Sequence, residues 1–578
     1  MMRANGGTYT AKMLALAGVA ALALPQAAGA QTMGYDSVGT SSGPGGEPAD
    51  VGATRSEKRA ARAADDKGRK VQITPYIEID QIVNAQFAPV DDVLTYTQAA
   101  VGADASITGR RNGLAASVRY EHHFGWSKNA SDGDAVSGLV RGYTTLARGL
   151  TLEAGGLATR ASVTGGTAIS SGIADSLGNT DIYSVYAGPS YTSRIGDLDL
   201  SANYRIGYTK VGQSNAYRAS ADSPLVDVFD KSRTQMADLE AGFAPGTIAP
   251  VGLGVGGTFY QENISNLDQR VRDIQVRGIV TVPVSRTVQM TGSLGYEDVT
   301  MGNRDAVYDA NGNPEIDSHG RYVTDKSSPR VLSYDVTGLT WDVGVMWRPS
   351  PRTSASAHIG RRYGSTSFGG MFAYAPNDRS SLNISVYDNV AGFGGQLDRT
   401  LDSLPDDFTV IRDPVTGELQ GCVSSVDGGT CLSGVLGSVR SSTFRDRGIM
   451  ASYGWRFGRL GAGLAAGYDR RNYIAAQGTI LASADGVIDE NTWINAYVNG
   501  QLGTNAGWSA TAYVNWLTST DAIDSDSTGY GITAAYYRLL TERLRATAAL
   551  SLDGITRKDP SIDDIWSASA LVGVRYSF

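Results

Sequence analysis

The chain has 578 residues, with 50 Lys and Arg against 58 Asp and Glu, for a formal net charge of −8. That balance argues against a nucleic-acid partner, which needs a basic surface. Glycine accounts for 71 residues, tyrosine for 29 and proline for only 18. Glycine is thus well above its usual share of about 7%, and after the N-terminus no apolar run approaches the ~18 residues of a transmembrane helix, so a helical membrane protein is excluded.

Residues 1–30 read as an export signal. Arg3 and Lys12 supply the positive start, Met13 to Leu24 the apolar stretch, and Ala28-Gly29-Ala30 a small-residue cleavage site before Gln31. Residues 31–70 are poor in apolar side chains and rich in Gly, Ser, Pro and charge, as expected of a flexible periplasmic segment. Its end, Arg55 to Lys70, is strongly basic and reads as a solvated linker, with a short helix touching anionic periplasmic polymers or the barrel mouth as the alternative.

From Val71 to the end the pattern has period two. In LDLSANYRIGYT, Leu198, Leu200, Ala202, Tyr204, Ile206 and Tyr208 share one face, while Asp199, Ser201, Asn203, Arg205 and Thr209 share the other. Strand side chains alternate between faces, so each such segment has an apolar and a polar surface. Alternation continues over 71–578 with no helical partner, longer than one soluble sandwich domain would run. Aromatic residues also bracket the apolar face. In WSATAYVNW, Trp508 and Trp516 end a face that spans about 20 Å of depth at a tilt near 40°, close to the apolar band of a membrane barrel.

Short links at Arg110–Asn112, Arg148–Gly149, Ile195–Asp197, Pro245–Ala249, Ser285–Arg286, Pro349–Pro351, Pro376–Arg379, Gly458–Arg459, Gly503–Asn505 and Thr541–Arg543 alternate with longer polar stretches. The longest are Met301–Arg330 and Gly392–Arg440. Short periplasmic turns and long outer loops are the habit of transmembrane β-barrels. The expectation is therefore an all-β, antiparallel up-and-down barrel of about 22 strands (20–24) in the outer membrane, in contact with its lipid and lipopolysaccharide. The chain ends WSASALVGVRYSF; Gly573, Tyr576 and the terminal Phe578 match the signal read by the barrel-assembly machinery, although Leu571 stands where that signal usually has a polar residue.

Three stretches, ITPYIEIDQIVNA (73–85), DDVLTYTQAAVGADASITGRRNGLAASVRYEHHFGW (91–126) and IYSVYAGPSYTSRIGDLDLSANYRIGYTKV (182–211), together resemble outer-membrane barrel proteins of sphingomonads and related bacteria. That group is similar to the barrel family associated with PEP-CTERM and exopolysaccharide loci. The resemblance covers most of the mature chain and is strongest in its first third. It implies an envelope location and a barrel, and it assigns no substrate. Similar sequences sometimes carry a preprotein translocase accessory-subunit label, but that subunit is a small single-helix inner-membrane protein, unlike this chain.

Charge on a lipid-facing strand position is costly, so charged residues within strands are expected to face the lumen. The pore-lining candidates are Arg119, Glu121, Glu153, Arg205, Glu240, Arg277, Glu297, Asp342, Arg456, Asp469, Arg545, Asp553 and Arg575. They could tune selectivity or pair across strands and stiffen the wall. Gly461, Gly463 and Gly467, with Tyr497, Tyr513 and Tyr537, could line a sugar path. Cys422 and Cys431 suggest one small disulfide in a loop. Asp309, Asn311, Asn313 and Asp317 form a weak Ca²⁺ candidate that ordinary turn chemistry also explains. Of His122, His123, His319 and His358, none can be grouped with a nucleophile at one depth, and at most one of the adjacent pair faces inward. No catalytic residue and no other cofactor is expected.

A lumen of this size needs a plug or a water column. The segment before the first strand is far shorter than the plug domain of TonB-dependent receptors, and Gly392–Arg440 is the loop best suited to fold inward. The reading is a channel for polar solutes or polysaccharide; the alternative is a non-conducting barrel that anchors an envelope or polymer-export assembly.

Overall fold

The computed structural model describes residues 70–89, 91–128, 130, 132–164, 167–169, 179–213, 231–318, 321–377, 379–404, 409–424, 429–431, 433–436, 440–520, 526–558 and 563–578. The expected signal peptide and the 31–69 segment lie outside the described residues. Within them, one 23-stranded antiparallel sheet runs as a meander, and one member, Thr167–Ile169, is a three-residue addition to the edge of Leu150–Thr164. The remaining 22 strands close on themselves: Lys70–Ala88 pairs with Asp92–Thr108 on one side and with the last strand, Ile565–Ser577, on the other. Closure leaves no unpaired edge, which is the condition for crossing a bilayer with strands.

All ten expected short turns connect strands at one end of the barrel. At the other end the expectation of uniformly longer loops fails in three places: 89–91, 265–268 and 363–364 are tight. The last is a two-residue turn with both φ positive, Tyr363 at 55° and Gly364 at 67°. Tyrosine is tolerated there because its carbonyl accepts a hydrogen bond from the Tyr334 hydroxyl at 2.6 Å and its ring lies under the Arg362 and Arg445 guanidiniums.

The outer surface is apolar. Leu339, Val572, Leu550 and Leu294 are each about two-thirds exposed, which in water would be unstable and in a bilayer is solvation by lipid. Trp341, Trp347, Trp455, Trp516, Tyr374 and Tyr453 join them outside. Together with closure, this places the chain in the bacterial outer membrane.

Glycine has a specific packing role. Register sets Gly102 opposite Tyr76, Gly155 opposite Tyr186, Gly448 opposite Tyr387, Gly463 opposite Tyr497, Gly467 opposite Trp493 and Gly531 opposite Tyr513. In each pair the ring occupies the space that a side chain on the glycine would need. A ring laid across a neighbouring glycine covers otherwise bare backbone and pins the register. The sugar-path tyrosines thus have one face committed to the wall.

Leu571 is explained as well. It points inward and packs with Ile82, Tyr96, Ala535 and Ala549 against Val415, a residue of the long loop. Gly573, two positions on, leaves room for the Asp80 carboxylate of the neighbouring strand.

Candidate functional site

The loop between strands Ser380–Ala391 and Thr443–Phe457 enters the barrel, as expected of Gly392–Arg440. Its first element is helix α1, Phe393–Asp402. Phe393, Leu397 and Leu401 recur every four residues, which on a helix makes one stripe. That stripe meets Leu139, Leu157, Ile182, Tyr186 and Val211, apolar residues on the otherwise polar inner wall.

The wall supplies the caps of α1. Its N-cap, Gly392, has no side chain, so the Glu262 carboxylate accepts the N–H of Gly392 at 2.6 Å and of Gly395 at 3.0 Å. A carboxylate at a helix N-terminus satisfies orphan N–H groups and complements the helix dipole. Glu262 is fully buried and is held by Ser232 and Tyr260 hydroxyls, each at 2.6 Å. Gly394 and Gly395 allow this approach, since a side chain at Gly395 would collide with the Tyr260 hydroxyl. At the other end Arg141 donates to the carbonyls of Asp402, at 2.7 Å, and Leu404.

Polar latches hold the middle. Asp398 accepts from Ser184 at 2.8 Å and from Thr234; Asp402 takes Arg205 at 3.0 Å; Gln396 donates to Asp446. Arg399 stacks 4.2 Å over the Tyr260 ring and donates to Asn389 at 2.7 Å. Burial pushes the Asp398 carboxyl up to about 7.

A second lobe lies against the adjoining wall, toward the first and last strands. A small sheet of Thr409–Arg412, Leu419–Ser424 and Gly429–Cys431 carries the turn Asp413 to Glu418. Asp413 accepts the N–H of Val415 and Thr416 at 2.8 and 3.0 Å, and its other oxygen takes the Thr533 hydroxyl at 2.6 Å. Arg412 reaches Ser117 and Ser137 on the wall. Burial, reinforced by the neighbouring Glu121, pushes the Glu418 carboxyl up to about 8. Register places Cys422 opposite Cys431.

Between α1 and the wall from Leu198–Gln213 round to Ser380–Ala391 remains a cavity of about 220 Å³. Of the expected pore-lining residues it gathers Arg205, Glu240, Arg277 and Asp342, together with Asp238, His358 and Arg399. Gly256 and Gly295 open the space that the Arg277 side chain fills.

The other candidates sit elsewhere on the inner face. Arg119 is buried under the second lobe with Glu78 at 3.2 Å, Asp80 at 3.7 Å and Glu121 at 2.8 Å. Glu153 pairs with Arg205 at 2.7 Å, Glu297 with Arg362 at 3.8 Å, Asp469 with Arg471 at 3.4 Å and Arg575 with Asp104 at 2.8 Å. Asp553 accepts from Tyr513 at 3.1 Å, and Arg545 lies 5.5 Å over the Tyr537 ring. Arg456 is exposed near the periplasmic end. Most of these charges are therefore spent on the wall or on the plug.

Reading the sequence missed Glu262, Asp398, Asp402, Arg141 and Arg399. The signal was present as helical spacing in FGGQLDRTLD within a chain of period two, and as Leu139, Leu157, Ile182 and Val211 on inner faces that should be polar.

No family model matches the chain, and no curated relative does. Several solved structures overlay on it at low similarity. The FrpB iron transporter from Neisseria meningitidis shares 10% identity at a TM-score of 0.41, covering 87% of this chain and 81% of that one. The ferric-catecholate import receptor Fiu from E. coli K12 shares 9% at 0.41, with the same coverage. Pseudomonas aeruginosa OpdQ shares 6% at 0.29, covering 88% and 99%.

In the Ca²⁺ candidate the carboxylates serve the turn backbone. Asp309 accepts the N–H of Asn311 and Asn313 at 2.8 and 2.9 Å, and Asp317 accepts that of Arg321 at 3.0 Å. Among the described residues no group of three or more His, Cys, Asp or Glu could hold a metal. His122 faces out to Asp134 at 2.8 Å, while His123 turns in toward Glu121 at 3.4 Å.

Proposed function

We propose that this protein is a gated, non-catalytic outer-membrane channel for polar solutes, with the 392–442 loop as its gate. The observation that carries this reading is how the loop is held. It is attached to the wall through its own two ends, a stripe of apolar contacts and separable polar latches, so it could leave without breaking a strand pair. The cavity beside α1 carries both signs of charge, which suits hydroxyl-rich or zwitterionic solutes better than simple ions of one sign. Polysaccharide would be the large limit of that class.

The second reading, a sealed barrel that anchors an export assembly, draws on the same dense docking of the plug. Liposome swelling with the purified full chain separates the two. The channel reading expects uptake of sugars with a size cut-off, faster for monosaccharides than for oligomers. No uptake of any sugar, both by the full chain and after removal of the plug loop, would sink it in favour of the anchor.

A further inference from the structure

The outer surface is apolar in the middle of the barrel, but one arc changes sharply in the outward direction. On strands Leu198–Gln213, Lys231–Phe243, Gly252–Ile264 and Gln269–Pro283, the lipid-facing positions run through Ile206, Leu239, Val255 and Val276. Four to eight residues further out along the strands they become Lys210, Lys231, Arg233, Arg270 and Arg272. The facing is fixed by their neighbours: Thr209, Val211, Ser232, Thr234, Val271 and Asp273 are buried on the inside, so the alternate residues lie outside.

Register makes these cations neighbours. Lys210 lies opposite Lys231, Tyr208 opposite Arg233, Arg233 opposite Asn263, and Asn263 opposite Arg270. Arg270 donates to Asn263 at 3.2 Å. None of the outward-facing described positions on these four strands is Asp or Glu, although acids outnumber bases in the chain. Acidic residues return on the flanking strands, at Asp181 on one side and at Asp298 and Asp335 on the other. On other parts of the exterior Arg470 pairs with Glu490 at 3.2 Å and Arg160 with Asp181 at 3.3 Å.

We propose that this arc is a docking site for the anionic headgroups of an outer-leaflet glycolipid. Its height carries the argument. A cation just beyond the apolar band sits where acyl chains give way to the acidic sugar or phosphate groups they bear. Tyr208, directly opposite Arg233, has the amphipathic character of that boundary. Arginine forks match phosphate and carboxylate, the lysines add point charge, and Gln235, Gln261 and Asn263 between them can hydrogen-bond saccharide hydroxyls.

The test uses the full chain in detergent, titrated with bisphosphorylated lipid A and, separately, with its phosphate-free analogue, with bound lipid counted by native mass spectrometry. The phosphorylated lipid is expected to bind at least tenfold more tightly. The combination Arg233→Gln, Arg270→Gln and Arg272→Gln should weaken binding of the phosphorylated lipid on the order of 100-fold, at roughly fivefold per cation, and cut the preference by the same factor. Arg470→Gln should leave it intact. A gel shift between unheated and boiled samples shows that each variant has formed its barrel. Should the triple variant fail that check, Lys210→Gln with Lys231→Gln, at the strand ends, is expected to weaken binding about 25-fold. Equal binding of the two lipids by the unaltered protein, or a folded variant that keeps its preference within threefold, overturns the proposal.

Discussion

Glu262 shows how a wall residue can complete an element of the plug. It supplies the acceptor that Gly392 cannot, and side-chain caps of this kind contribute about 1 kcal/mol. Glu262→Ala is therefore expected to speed amide exchange across 393–402 by roughly fivefold, leaving the strands as protected as before. Unchanged protection of α1 would mean that the cap does not hold the plug.

Asp398 adds a dependence on pH. With its carboxyl at about 7 in the docked plug, against about 3.9 for a carboxyl in water, the docked state binds the extra proton. Docking is then tightest below about pH 4 and weakens as pH rises to about 7, beyond which this contribution is lost. Exchange of α1 amides, corrected for intrinsic rate, should accelerate over that window. Asp398→Asn, which keeps acceptors for Ser184 and donors in place of the proton, should flatten the profile. An identical slope in the variant would remove Asp398 from the account.

Among the elements, the hairpins are the part most readable in advance. Turns such as Gly458–Arg459 and Gly503–Asn505 are set by local chemistry, and alternation over many strands compounds a weak signal into a firm one. The tight outer turns were not readable, because Leu267 and Tyr363 adopt positive φ only with help from distant partners. Helix α1 was hidden for a related reason: ten residues are too few to form a helix alone, and its stability comes from the wall. Leu571 looked like a departure from the assembly signal until the plug tip was in place beneath it.

The glycine–aromatic pairs belong to this scale too. Gly463→Val would drive a branched side chain into the Tyr497 ring and should cost about 1–3 kcal/mol in equilibrium unfolding from lipid vesicles. Adding Tyr497→Ala should return part of that loss, since the two changes share one space. Strict additivity would show that the ring is not what fills the glycine.

For the molecule as a whole, closure, handover of charge to the inner face and a plug built from a single loop form one design. The strands that flank the loop are themselves paired up to Ala391 opposite Phe444, so the loop can be cut out and its ends joined by a short Asn-Gly turn without disturbing the barrel. The most direct measurement is single-channel conductance in planar bilayers for the full chain and for this loop-replaced form. The account expects small or flickering currents from the first and a large, steady, ohmic pore from the second. Equal, fully open conductance from both would contradict the assignment of 392–442 as the gate.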